Sequence, residues 1–107
     1  MSVVNDPALW AYPLKKREEF DSFHRPNPHI FRMFRERAFA MRATGRSTYG
    51  ARTIIENMRW DHDIQTTGVD FKINDDWVPM YARLLLHRYP KIGPFFELRK
   101  VGVERWL

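Results

Sequence analysis

The sequence predicts a mainly α-helical single domain with a small β-hairpin, in a helix–turn–helix or winged-helix order. Three observations predict it. Apolar residues recur with a 3.6-residue period in separate stretches, Asn27-Pro28 and Gly45 bracket the best defined of them, and a strand-like alternation appears at Val69, Phe71 and Ile73.

Residues 1–13 read as an N-terminal arm to a helical domain formed by 14–107. Asn5, Asp6, Pro7 and Pro13 punctuate the arm, while Trp10 and Tyr12 are large enough to dock it. Leu14, Phe20 and Phe23 flank the charged run Lys15 to Glu19, which predicts a short amphipathic helix stopped by Pro26. Asn27 is a favoured N-cap, Pro28 lacks an N–H where none is needed, and Gly45 supplies the stop, so a helix is expected over Pro28 to Thr44. Its core face is Ile30, Phe31, Phe34, Ala38 and Met41, and Arg32, Arg35, Phe39 and Arg42 form the adjoining stripe. A second amphipathic helix, from Ser47 or Thr48 to about Trp60, puts Ala51, Ile54, Ile55 and Met58 on one face. The short Gly-containing connection makes the two helices neighbours.

From Asp61 to Asn74 the period changes to two around a Thr67-Gly68 turn signal, which predicts the hairpin. Asn74, Asp75 and Asp76 then supply acids at the start of a helix from Trp77 to about Arg88, ended by Pro90. Nearly all its positions are apolar, which predicts a central helix with Arg83 and His87 as its polar edge. In the tail, Gly93-Pro94 marks a turn, and Phe95, Phe96 and Leu98 suit a docked terminal segment.

At 107 residues the chain has material for one core, and eight Phe, four Trp and four Tyr fill it without staples. The absence of Cys excludes disulfides, thiolate catalysis and sulfur-ligated metals, and suits a reducing cytoplasm. No apolar run reaches the roughly 18–20 residues of a membrane helix, and Met1 to Trp10 lacks the build of a signal peptide, so no membrane association is expected. A net charge of +5, carried by thirteen Arg against five Lys, favours a polyanionic partner: the guanidinium fork suits phosphates and carboxylates alike.

The candidate binding residues are Arg32, Arg35, Arg42, Arg46, Arg52 and Arg59, with Arg25 nearby. They concentrate in two successive predicted helices, offset there only by Glu36 and Glu56. Cations interleaved with Phe39 on one stripe fit a phosphate backbone or a base stack. The competing reading is a solvated face in which Arg52, Glu56 and Arg59 form ordinary helical ion pairs. The element order is that of helix–turn–helix DNA binders, yet the Trp77 to Arg88 helix offers little to base edges, so an Arg-bearing helix is the expected reader. Asp61, His62, Asp63, Asp70, Asp75 and Asp76 include oxygen and imidazole ligand types, and Asp70-Phe71-Lys72 with Glu56 copies part of a metal-dependent nuclease strand. Loop and cap chemistry is the better account of them, and His24 and His29 suit packing or capping. No catalytic residue, metal site or cofactor is expected. Trp10, Tyr12, Trp60, Trp77 and Trp106 are expected mainly in the core, with some left to anchor an interface.

The pattern Asn27-Pro28, Tyr49, Ala51-Arg52, Ile55-Glu56, Arg59-Trp60, Phe71-Lys72-Ile73-Asn74, Tyr81-Ala82-Arg83-Leu84 and Phe95-Phe96-Glu97-Leu98-Arg99 resembles a group of short proteins found in phages and prophage regions. The resemblance spans roughly Phe20 to Arg99. It implies a phage-linked context, and hence a host cytoplasm, and carries over no activity. The sequence therefore favours a small, non-enzymatic, dimeric protein that binds nucleic acid, in the form of double-stranded DNA, through its arginines. A factor that binds an acidic host protein comes second, and a metal-dependent nuclease is a distant third.

Overall fold

A computed structural model describes residues 2–59 and 73–96. Four α-helices occur among them: α1 (Leu14–His24), α2 (Pro28–Ala43), α3 (Ala51–Arg59) and α4 (Trp77–Arg88), with 3-10 turns at Pro7–Leu9 and Pro90–Ile92. The chain is mainly α, and α4 is its centre. Trp77, Val78, Met80, Tyr81, Ala82, Leu84 and Leu85 are all buried, so a helix apolar on most sides is enclosed on most sides.

Each neighbour contributes one apolar face. Phe20 of α1 meets Tyr81 and Trp77 edge-on, at 4.9 and 5.5 Å between ring centroids. Phe31 and Phe34 of α2 lie 6.2 and 6.0 Å from the same tyrosine ring. From α3, Ile54, Ile55 and Met58 are buried in the same core, on the face their spacing predicts. Beyond α4, Phe95 and Phe96 fold back into it, and Phe96 stacks on Phe34 at 5.5 Å.

Helix α2 starts at Pro28 as expected, for a different reason. The Asn27 side chain makes no cap; it is buried and donates its Nδ2–H to the Phe23 carbonyl at 2.8 Å, which ties the end of α1 to the start of α2. At the other end Gly45 takes φ +95°, the left-handed conformation that favours glycine after a helix. Helix α3 begins at Ala51, three or four residues later than the sequence suggests. Tyr49 explains the delay: its N–H donates to the Phe95 carbonyl at 3.0 Å and its ring stacks on Phe95, which holds residues 47–50 out of a helix.

One expectation needs correcting. The β-hairpin is not part of the described fold: no strand occurs among the described residues, Ile73 and Asn74 are not in one, and the remainder of the expected hairpin, 61–72, lies outside them. The winged-helix comparison loses its wing with it. The N-terminal segment is docked. Val3, Leu9 and Tyr12 are buried, and the Val3 N–H donates to the buried Asp21 carboxylate at 2.8 Å. Arg17 donates to the Val4 and Tyr12 carbonyls, and Arg88 pairs with Asp6 at 2.9 Å. These groups anchor the segment to the helical domain.

His24 is buried in this core. Its ring stacks on Phe20 at 5.7 Å and meets Phe31 and Tyr81 edge-on, and its Nδ1 has no hydrogen-bond partner among the described residues. Burial holds the imidazole below its ordinary pKa of 6.5, and the Arg88 charge pushes the same way while Asp21 opposes it. Protonation therefore favours the unfolded chain. Stability is full above the unfolded value and declines as pH falls from 6.5 toward the lower folded value. The urea midpoint should show this decline, and His24→Phe, which keeps the stacking, should flatten it.

Candidate nucleic-acid interface

The six predicted arginines separate into two groups. Arg32, Arg35 and Arg42 share the flank of α2 beside its buried face, and Arg46 follows just past the helix end. Arg32, Arg42 and Arg46 are exposed and meet no carboxylate within ion-pair distance among the described residues. The Arg42 guanidinium donates to the Arg46 carbonyl at 3.4 Å, and the Arg46 guanidinium lies 5.3 Å from the centre of the Tyr49 ring. These contacts orient the cations without cancelling their charge.

Arg35 is half-buried and held more firmly. It donates to the Tyr89 hydroxyl at 2.7 Å and sits over that ring at 5.3 Å, while Phe39, one turn along, meets the ring edge-on at 6.0 Å. Tyr89 thus fastens the end of α4 against the α2 flank. Two residues on, Lys91 is exposed, which adds a cation that the sequence reading did not include. Along α2 the ten-residue step from Arg32 to Arg42 covers about 15 Å. That length matches about four phosphates of one DNA strand, at about 3.4 Å each along the axis.

The α3 pair is used differently. Arg59 donates to Glu56, to the Ile73 carbonyl and to Asp75, the last at 2.7 Å, and is only 24% exposed. Arg52 faces the other oxygen of Asp75 at 3.4 Å. Hydrogen bonding from Arg59 leads the influences that lower the Asp75 pKa, and the charges of Arg59 and Arg52 add to it. The helical pairing that competed with polyanion binding is therefore correct for Arg59 and Glu56. The six arginines are not equally open, because Asp75 engages the last two. Arg25 is likewise engaged, by Asp21 at 3.1 Å.

Asp75 read as a helix-start acid in the sequence. Its charge partners lie across residues 60–72, and no local signal reveals them. Asn74 does serve the turn, accepting the Asp76 N–H at 2.8 Å, and Asp76 pairs with Lys16 at 2.9 Å. The half-nuclease motif is not assembled among the described residues: Asp70 and Lys72 lie outside them, as do Asp61, His62 and Asp63, and Glu56 is bound to Arg59. Among the described residues no group of three or more acids and histidines is arranged to hold a metal ion, and no helix is long and apolar enough to cross a membrane. Of the aromatics, Tyr12 and Trp77 are buried as expected and Trp10 is 64% exposed; Trp60 and Trp106 lie outside the described residues.

Comparison of the chain with known protein families, with curated proteins and with solved structures finds no match. The chain's own charges and contacts are thus the basis for a functional reading. The division of the arginines is open to test by stability alone. Arg59→Ala removes hydrogen bonds to Glu56 and the Ile73 carbonyl and should cost about 1–3 kcal/mol in urea unfolding. Arg32→Ala and Arg42→Ala should each stay within about 0.5 kcal/mol of the parent.

Proposed function

We propose that the protein binds nucleic acid, in the form of double-stranded DNA, through the α2 flank, without catalysis. The observation that carries this reading is the set of exposed cations Arg32 and Arg42 of α2 and Arg46 just past it, which meet no carboxylate among the described residues, together with Arg35 on the same helix. Such a surface attracts phosphates by releasing their condensed counterions and offers little for base edges, so affinity is expected to exceed sequence discrimination. The setting proposed with it is the cytoplasm of a phage host, following the resemblance of the chain to short phage and prophage proteins.

A gel-shift titration of a 20-base-pair duplex across salt concentrations tests the proposal. Log affinity should fall linearly with log salt, and Arg32→Ala and Arg42→Ala should each reduce the slope by about 0.9. Absence of binding at low salt, or slopes unchanged by both substitutions, would count against it.

A second reading has its own observation. Trp10 and Leu14 are the exposed large apolar side chains among the described residues, at 64% and 53%, and the Trp10 ring is held in place by its Nε1–H donating to the Asn5 carbonyl at 3.0 Å. A fixed, exposed tryptophan is the usual anchor of a protein interface, so an acidic host protein, or a second copy of the chain in a dimer, is the alternative partner. Capture of a defined protein from nuclease-treated lysate, lost on Trp10→Ala, is the outcome this alternative requires. Capture that disappears with the nuclease would return the balance to nucleic acid.

A further inference from the structure

Asp75 is a surface carboxylate shared between two arginines. Asp6 pairs with Arg88, Asp21 with Arg25 and Asp76 with Lys16. Asp75 instead divides its two oxygens between two guanidinium groups, Oδ1 to Arg59 at 2.7 Å and Oδ2 to Arg52 at 3.4 Å. A phosphodiester presents the same features: two non-bridging oxygens, a single negative charge, and a preference for guanidinium forks.

The three partners differ in how much of the fold depends on them. Arg59 keeps Glu56 and the Ile73 carbonyl whatever happens to Asp75, so its position does not rest on this pair. Arg52 is 62% exposed, and Asp75 58% exposed, so their contact lies in water, where an ion pair is weak and exchanges readily. Arg52 also lies near the α2 flank along the chain, six residues after Arg46 across the exposed loop that joins α2 to α3. The fork is therefore prearranged, follows the cationic segment along the chain, and is closed by one replaceable carboxylate.

We infer that Arg52 and Arg59 form a second phosphate-binding fork, occupied in the free protein by the chain's own Asp75 carboxylate. This rests on the nucleic-acid reading of the α2 flank and adds a regulation to it. In the parent protein an incoming phosphate only exchanges for Asp75, and the displaced carboxylate reclaims a cation, so the fork contributes no net counterion release. Removing the Asp75 charge leaves the fork open and turns its contribution into net attraction.

The test is the salt dependence of binding to the same 20-base-pair duplex by the full chain carrying Asp75→Asn. The slope of log affinity against log salt should steepen by roughly 1 to 2, for one or two further phosphates neutralised. Asp75→Glu, which keeps the charge, should retain the parent slope, and Arg52→Ala introduced beside Asp75→Asn should take the added steepness away. Asp75→Ser removes the same charge by a different side chain and must give the same steepening, so a fold defect peculiar to the Asn variant does not decide the outcome. If parent and both neutral variants bind with one slope, the fork inference is overturned and the α2 reading stands. If none of them binds at low salt, both are overturned.

Discussion

Helix α4 carries apolar side chains around most of its circumference, and the rest of the structure follows from the need to enclose it. Tyr81 shows the constraint most directly: its ring touches Phe20 from α1 and Phe31 and Phe34 from α2, and burial drives its hydroxyl pKa well above the ordinary tyrosine value. That hydroxyl has no hydrogen-bond partner among the described residues. A neutral phenol is tolerated there because ring packing on three sides outweighs one unmet hydrogen bond, whereas an ionised one would not be. The N-terminal segment closes a further side. Arg83, the polar edge of α4, donates to the Tyr12 hydroxyl at 2.6 Å and lies over its ring at 5.4 Å, so even the charged position of α4 is used to hold a cover in place.

Enclosure also sorts the cations. Arg17, Arg83 and Arg88 reach inward to carbonyls, a hydroxyl and a carboxylate of the N-terminal segment. Arg59 fixes Ile73 and Asp75 to the end of α3. Among the described residues, Arg32, Arg42 and Arg46 of α2 and the turn after it stay turned to solvent, while the buried face of α2 meets α4. A net positive chain has thus used a large share of its arginines as struts, and the charge open to a partner is smaller and more local than composition suggests.

Periodicity made the helices legible in the sequence. Helix α4 spans Trp77–Arg88 as its apolar run indicates, α2 ends one residue short of the expected Thr44, and the core faces of α2 and α3 contain the residues their spacing selects. These features are local, and a 3.6-residue period reports them directly. The start of α3 was not legible, because Tyr49 is held out of the helix by Phe95, far along the chain. The docking of the N-terminal segment depends on pairs such as Asp6 with Arg88, 82 residues apart, and no window of sequence contains both. The candidate site was half legible for the same reason. Periodicity placed Arg32, Arg35 and Arg42 on one helix, but whether an arginine is cancelled depends on a carboxylate elsewhere in the chain, and Asp75 could be placed against Arg52 and Arg59 only in three dimensions.

The account rests on a physical difference between the cations of α2 and the arginines that serve the fold. The most direct measurement is an NMR titration of the isotopically labelled protein with a short DNA duplex, following the arginine Nε–H signals. Those of Arg32, Arg42 and Arg46 should move progressively with added duplex while that of Arg17, bound to the Val4 and Tyr12 carbonyls, stays in place. Movement of Arg17 with the α2 signals unchanged, or no movement of any arginine signal at low salt, would contradict it.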